Sequence, residues 1–326
     1  MPQSRKSQIS LIDTSYYHCV SRCVRRSFLC GEDEFTGQSY EHRRGWVEQR
    51  LLNLSAVFAI DVCAYAVMSN HTHIVVCVDK EAADNWSLKE VAYRWHQLHK
   101  GTLLTQRFLR DESLSQSEQI TLNETINIYR QRLYDISWFM RSLNEYIARE
   151  ANKEDDCTGR FWEGRFKSQA LLDESAVLAC MAYVDLNPIR AKIEKTPETS
   201  KHTSIQKRIQ ACIKGEQPKN LMGFVGNHRQ GMPRGIAFSL IDYCKLVDCT
   251  GRSIREDKAG YIEHQHSPIL ERLGLNSEQW ITLTTEFEQH FHTAVGSEHM
   301  MQQFKQHTGH QRIRGITKAK ALLQQA

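Results

Sequence analysis

The alternation of apolar and polar positions predicts four strands in the first 171 residues. Residues 16–24 form a β-branched and aromatic run, which favours extended backbone. Residues 61–68 and 72–78 are two similar runs with the short polar turn Ser69-Asn70 between them, which predicts a hairpin. Residues 166–171 form the fourth run.

Helical spacing of apolar residues fills the intervals between these strands. Residues 38–59 and 86–100 predict two helices, and a third follows Asp135, which is a suitable N-cap. Asp173 precedes a further helix that Pro188 should end near Asn187, since proline disfavours helical backbone in the preceding residue.

The order strand, helix, strand, strand, helix, strand, helix predicts an α+β fold. It is that of a ferredoxin-like split βαββαβ antiparallel sheet with helices on one face and one appended helix. We expect this domain to span residues 1–195, with a polar insertion at 105–130. A linker at 196–219 and a mostly helical accessory module at 220–326 follow, because scattered glycine and proline residues change the character of the chain there.

Within the accessory module, residues 267–273 and 277–290 predict two helices joined at 274–276. Such a pair is either plain scaffold or a DNA-reading helix-turn-helix, and the sequence leaves both open.

Composition narrows the class of protein. The 326 residues are 40% apolar and carry a formal charge of only +4, so the total charge does not indicate a nucleic-acid binder. No apolar run approaches the roughly 18 residues of a membrane span, and the polar N-terminus lacks a signal-like core, so we expect a cytoplasmic protein with no membrane partner. Both ends of the chain are basic. This suits a polyanionic partner, and equally well basic tails that are simply solvated.

Two histidines stand out because of their spacing. His71 and His73 lie two apart in a predicted strand, so their imidazoles share one face and form a platform for a metal ion. The alternative is an ordinary pair of hydrogen-bonded or exposed histidines. A binuclear hydrolase of the HxHxDH type would need Asp and His at the positions of Val75 and Val76, so that class is disfavoured.

A second motif lies at the end of the last predicted helix of the domain. Tyr183 and Asn187 are four apart and share a helical face. A phenol with a pKa of about 10 is a poor nucleophile unless a cation lies nearby. The Asn187 amide oxygen could complete a metal site with His71 and His73, whereas the alternative is an ordinary helix end before proline.

A third stretch, residues 159–167, alternates cations with aromatic rings just before a strand, as single-strand grooves do. The alternative is a strand entry with rings in the core and charges in water. The predicted DNA contacts are Arg22, Arg25, Arg160, Trp162, Arg165, Lys167 and Arg190.

Three elements in this order, His71-Thr72-His73, Arg160-Phe161-Trp162-Glu163 and the segment from Tyr183 to Pro188, resemble the REP-associated tyrosine transposases. This is a branch of the single-tyrosine HUH transposases, and the resemblance covers roughly residues 12–195. It implies a ferredoxin-like core and cutting and joining of single-stranded DNA at or beside hairpin repeats through a 5′-phosphotyrosine.

On matching positions, the resemblance implies that Tyr183 is the nucleophile and that His71, His73 and Asn187 hold Mg²⁺ or Mn²⁺. Other HUH transposases place glutamine where Asn187 stands. No small-molecule cofactor is implied, and the oligomeric state stays open. The alternative function is a domesticated protein that binds DNA or RNA hairpins without cutting, although RNP-type aromatics of RNA-recognition sheets are absent. A rolling-circle replication initiator shares the chemistry but fits the context of Tyr183 less well.

Overall fold

The predicted strands assemble into one sheet at the centre of the protein. The computed structural model describes residues 8–24, 29–33, 36–226, 229, 231–254 and 267–323. The sheet has the order β2-β3-β1-β4-β5, in which the first four strands are antiparallel neighbours and β5 runs parallel to β4. The strands are β1 Tyr16–Arg22, β2 Ile60–Val67, β3 His71–Val78, β4 Lys167–Leu171 and β5 Ala294–Val295.

Helices fill the intervals that the apolar spacing predicts, and the N-caps at Asp135 and Asp173 are confirmed. The Asp135 carboxylate accepts a hydrogen bond from the backbone N–H of Ser137, and the Asp173 carboxylate accepts one from Ala176. The helices in the described residues are α1 His42–Val57, α2 Lys80–Asn85, α3 Leu88–His96, α4 Leu103–Leu109, α5 Gln116–Leu133, α6 Ile136–Glu154, α7 Glu174–Asp185, α8 Asn187–Arg190, α9 Ser204–Ile213, α10 Leu240–Ile254, α11 Ser267–Arg272, α12 Ser277–His290, α13 Glu298–Thr308 and α14 Ile316–Leu322.

One face of the sheet is covered by α1 and α6, the helices that connect β1 to β2 and β3 to β4. The Tyr65 hydroxyl on β2 donates to Glu48 of α1, and Asn144 of α6 donates to Ser21 of β1. Tyr65 and Ser21 therefore point to the same face, since side chains of a strand alternate between the two faces. The predicted α+β class, with helices packed on a split βαββαβ sheet, is confirmed.

The opposite face carries α7, and α12 packs against α7. Phe287 of α12 meets the ring of His18 on β1, with 6.3 Å between the ring centroids. The C-terminal part is mostly helical, as predicted, and it returns to the sheet through β5, where the backbone N–H of Ala170 donates to the Thr293 carbonyl. None of the described helices has the length and apolar character needed to cross a membrane.

The predicted insertion and linker both contain packed helices. Residues 105–130 fall in α4 and α5 and the turn between them, and residues 196–219 contain α9. The Arg208 side chain on α9 is fully buried and donates to the carbonyls of Cys63 and Met222. The domain boundaries themselves stay a prediction.

A buried carboxylate joins α7 to the C-terminal helices. Asp185 accepts hydrogen bonds from the Tyr243 hydroxyl at 2.6 Å, from the Ile205 N–H at 3.0 Å and from the Ser204 hydroxyl. Burial raises the pKa of Asp185 to about 6, because a charged carboxylate is poorly solvated there. This network holds the C-terminal end of α7 in place two residues after Tyr183.

Candidate functional site

Strand register brings a third histidine beside the predicted pair. In the β1–β3 pairing Val20 lies opposite His73, so His18 of β1 points to the same face as His73. His18 Nε2 and His73 Nδ1 share a hydrogen bond of 2.9 Å, and the two rings stack with centroids 5.2 Å apart. Both side chains are about 1% exposed, so this pair lies within the protein rather than on its surface.

His71 stands next to this pair, on the predicted face. Its ring meets the ring of His73 edge-on at 4.8 Å, and its Nδ1 lies 2.6 Å from the Asn70 side-chain oxygen. Burial lowers the pKa of His71 to about 4, and the nearby Arg22 guanidinium acts in the same direction.

A carboxylate from the C-terminal part completes a group suited to a metal ion. Glu288 of α12 places Oε1 3.9 Å from His73 Nδ1. One ligand atom from each of His18, His73 and Glu288 lies within 4.8 Å of the other two. Burial lowers the pKa values of both imidazoles, so both are neutral at pH 7 and keep a lone pair for a cation. Two imidazoles and a carboxylate fit a divalent ion.

Tyr183 faces this group from α7. Its ring lies 5.9 Å from the ring of His73 and 6.3 Å from that of His18, between centroids. The hydroxyl donates to Glu288 Oε2 over 3.4 Å. Burial raises the pKa of Tyr183, whereas the positive charge of Arg190 lowers it. The phenol therefore has a carboxylate in reach as a proton acceptor and a cation that favours its ionised form.

Arg190 contacts Tyr183 directly, whereas Asn187 lies four residues after it in the chain. The Arg190 guanidinium carbon sits 3.6 Å from the centre of the Tyr183 ring, and Nη1 donates to the carbonyls of Tyr183 and Thr284. Arg190 thus contacts both the ring and the backbone of Tyr183. Asn187 begins α8 and is 8% exposed, and its role as a ligand stays a prediction.

A cleft of about 410 Å³ opens onto the imidazole–carboxylate group. Its wall contains His18 and Glu288, together with three of the predicted DNA contacts, Arg22, Arg165 and Lys167. Cations around a cavity attract polyanions, so this arrangement suits a phosphodiester backbone. We call this cavity the catalytic cleft, after the chemistry proposed below.

The remaining predicted DNA contacts lie elsewhere. Trp162 pairs with Cys23 beyond the end of β1, and its indole N–H donates to the Asn144 carbonyl at 2.8 Å. Arg160 donates to the Trp162 carbonyl at 2.7 Å. Neither side chain lines the catalytic cleft. Arg25 lies outside the described residues.

Sequence reasoning missed His18 and Glu288. His18 sits in a strand that was predicted, but its proximity to His73 depends on a register between strands about 50 residues apart. Glu288 follows Tyr183 by 105 residues, and no local spacing marks it. The packing of α12 on α7 brings Glu288 to Tyr183, and the sequence alone does not predict this packing.

Neither a family model nor a curated protein matches this chain in sequence. Among solved structures, that of a REP-associated tyrosine transposase bound to a REP hairpin resembles it, with a TM-score of 0.38 and 11% identity. The match covers 72% of this chain and 98% of that one.

Proposed function

We propose that this protein is a metal-dependent single-strand DNA endonuclease and strand transferase of the REP-associated tyrosine transposase type. The observation that carries the proposal is the position of the Tyr183 phenol, which meets an imidazole–carboxylate group whose His18 and Glu288 line a cleft together with three cations. The substrate is single-stranded DNA at or beside a hairpin repeat, and the product is a 5′-phosphotyrosine with a free 3′-hydroxyl.

Proton transfer within the site accounts for activation of the phenol. Glu288 Oε2 accepts the Tyr183 proton as the phenolic oxygen bonds to phosphorus. The bond between phosphorus and the 3′-oxygen breaks, and that oxygen takes up a proton to leave as a hydroxyl. A second 3′-hydroxyl can reverse these steps and join a new strand. The phosphotyrosine keeps the energy of the broken ester, so no nucleotide cofactor is required.

His18, His73 and Glu288 would hold the divalent ion, Mg²⁺ or Mn²⁺, with His71 and Asn187 as the further ligands that the sequence predicts. Such an ion would supply positive charge to the non-bridging phosphate oxygens, where negative charge accumulates in the transition state. His73 belongs to both ligand sets, so it is the residue on which the metal assignment depends most.

The cations of the catalytic cleft orient the strand. Arg22, Arg165 and Lys167 lie on the wall next to His18, where their charges attract successive phosphates. Arg190 holds the Tyr183 ring and backbone, so the nucleophile is positioned before DNA binds.

The test is a covalent-adduct assay. Purified protein is incubated with Mn²⁺ and end-labelled hairpin oligonucleotides taken from repeats in its own genome, and the products are separated on a denaturing protein gel. We expect a labelled adduct in the wild type, none in Tyr183→Phe and none without metal. Tyr93→Phe is the matched control, because this exposed tyrosine of α3 lies outside the site.

An adduct that persists in Tyr183→Phe would contradict the assigned nucleophile. Hairpin binding by the wild type without any adduct would contradict the enzymatic proposal and favour the non-cleaving hairpin-binding protein.

A further inference from the structure

A second and larger cleft lies between α1, α6 and the segment from α3 to α5. Its volume is about 710 Å³. Aromatic rings and arginine guanidinium groups line its wall. We call it the arginine–aromatic cleft and define it by Trp95, Tyr129, Trp138, Arg132, Arg141 and Arg149.

The floor of this cleft is a stack of rings and one guanidinium. Trp95 and Tyr129 stack with centroids 4.5 Å apart, and the Arg132 guanidinium carbon lies 4.4 Å from the centre of the Trp138 ring. Among the described residues, no carboxylate forms an ion pair with Arg132. His99 also lines the cleft, and its Nε2 is buried with no hydrogen-bond partner within the described chain. Trp95 and Tyr129 are 4% and 5% exposed and cover each other, whereas Tyr146, which also lines the cleft, is 38% exposed, so its ring is the one open to a base.

The rim carries two exposed arginines that share one carboxylate, Glu145, on the same helix. Arg141 is 63% exposed and donates to Glu145 at 3.3 Å, and Arg149 is 75% exposed and pairs with the same residue. An exposed pair of this kind contributes little to stability, so a phosphate can replace the carboxylate at low cost.

The two clefts are connected. A third depression, of about 460 Å³, shares Gly164 and Arg165 with the catalytic cleft. It also shares Arg141 and Glu145 with the arginine–aromatic cleft. The third depression therefore lies between the two clefts on the surface.

We propose that the arginine–aromatic cleft binds the single-stranded DNA that flanks the cleavage site, with a base against the Tyr146 ring and phosphates paired with Arg141 and Arg149. This inference depends on the proposed function, since it takes the strand in the catalytic cleft as its starting point. It assigns a binding role to the helices around the predicted insertion.

The experiment measures affinity as a function of flank length. Fluorescence anisotropy is recorded for labelled hairpins with no extension and with 5′ or 3′ single-stranded extensions of about 4 to about 16 nucleotides, the range that one single-strand groove occupies. The readout is the ratio of the Kd without an extension to the Kd with one, taken within each variant. We expect this ratio to rise with length in the wild type for one polarity and then to level off.

Three variants test which residues produce the gain. In Arg141→Gln/Arg149→Gln we expect the gain to be lost and the salt dependence of log K on the extended DNA to fall by about 1.4, at about 0.7 for each phosphate contact. In Glu145→Gln we expect a larger gain, because the competing carboxylate is gone. Arg252→Gln is the control, since this exposed arginine pairs with Asp248 on α10, away from the cleft.

A ratio that does not change with length in the wild type, or an unchanged gain in the double variant, would overturn the inference. Failure of the proposed function is seen separately, as absence of the covalent adduct on extended hairpins at DNA concentrations that saturate binding.

Discussion

The catalytic cleft and the arginine–aromatic cleft differ in the elements that build them. The first takes two imidazoles from neighbouring strands and Tyr183 and Glu288 from helices packed on them, and the His18 and His73 side chains are almost completely buried. The second is lined by helices, and its cations are exposed, as the 75% exposure of Arg149 shows. Bond breaking requires groups held within fractions of an ångström, which a sheet provides, whereas phosphate binding tolerates flexible side chains. Chemistry and affinity are therefore expected to respond to different substitutions.

The largest expected effect comes from a substitution at the imidazole–carboxylate group, outside the arginine–aromatic cleft. In His73→Gln we expect adduct formation to fall to background, because His73 is common to both candidate ligand sets and stacks on His18. Mn²⁺ affinity, measured by calorimetry, should fall more than about 100-fold, since even residues behind metal ligands change affinity by about 10- to 100-fold.

His307→Gln is the matched control for this substitution, because that histidine is 49% exposed and pairs with Asp13. Normal Mn²⁺ binding by His73→Gln would refute the metal assignment. His18→Gln and His71→Gln are then compared. Substitution of a metal ligand should weaken Mn²⁺ binding strongly, so the comparison shows whether His18, as in the structure, or His71, as the sequence predicts, binds the ion.

The next largest effect concerns the carboxylate that α12 contributes. Glu288→Gln keeps the shape of the side chain but removes its ability to accept the Tyr183 proton. We expect the single-turnover rate of adduct formation to fall about 100- to 10,000-fold, the usual contribution of a general base. Glu286→Gln on the same helix is the control, because Glu286 pairs with His290 instead. Equal rates in the two variants would show that Glu288 does no chemistry.

The sequence predicted the parts of this picture that depend on local spacing. Alternation in β3 places His71 and His73 on one face, and helical spacing places Tyr183 one turn before Asn187. Contacts between segments far apart in the chain could not be predicted this way. Glu288 is an example, since its role depends on how α12 packs on α7.

The segment around the predicted insertion shows the same limit. Its polar composition gave no sign of a site, yet Tyr129 stacks on Trp95 to form the floor of the second cleft. The two residues are 34 positions apart, and only the packing of α3 against α5 brings their rings together.

A smaller effect concerns Asp185, the buried carboxylate that joins α7 to α9 and α10. The pKa of Asp185 is raised to about 6 in the fold, so the folded state holds this proton more tightly than the unfolded state does. Its stabilising contribution is complete below pH of about 4 and is lost as the pH rises through about 6, a change of about 3 kcal/mol. Denaturant unfolding of the wild type and Asp185→Asn should show this difference shrinking with pH. A difference that is constant across this range would contradict the raised pKa.

The smallest expected effect lies in the arginine–aromatic cleft. Tyr146 is 38% exposed beside Arg50, whose guanidinium lies 4.9 Å from the ring centre. Loss of one stacking ring in Tyr146→Ser should weaken binding of extended hairpins about fivefold, and a saturating DNA concentration should restore the cleavage rate. A rate that stays low at saturation would show that this cleft takes part in the chemistry, and the contrast between the two clefts would fail.

The central claim is that the Tyr183 oxygen becomes bonded to DNA. The most direct measurement is mass spectrometry of the protease- and nuclease-digested adduct formed by the wild type with a hairpin oligonucleotide and Mn²⁺. We expect one modified peptide, containing Tyr183 with a nucleotide attached through its 5′-phosphate. A nucleotide on any other residue, a 3′-phosphate linkage, or cleaved DNA with unmodified Tyr183 would contradict it.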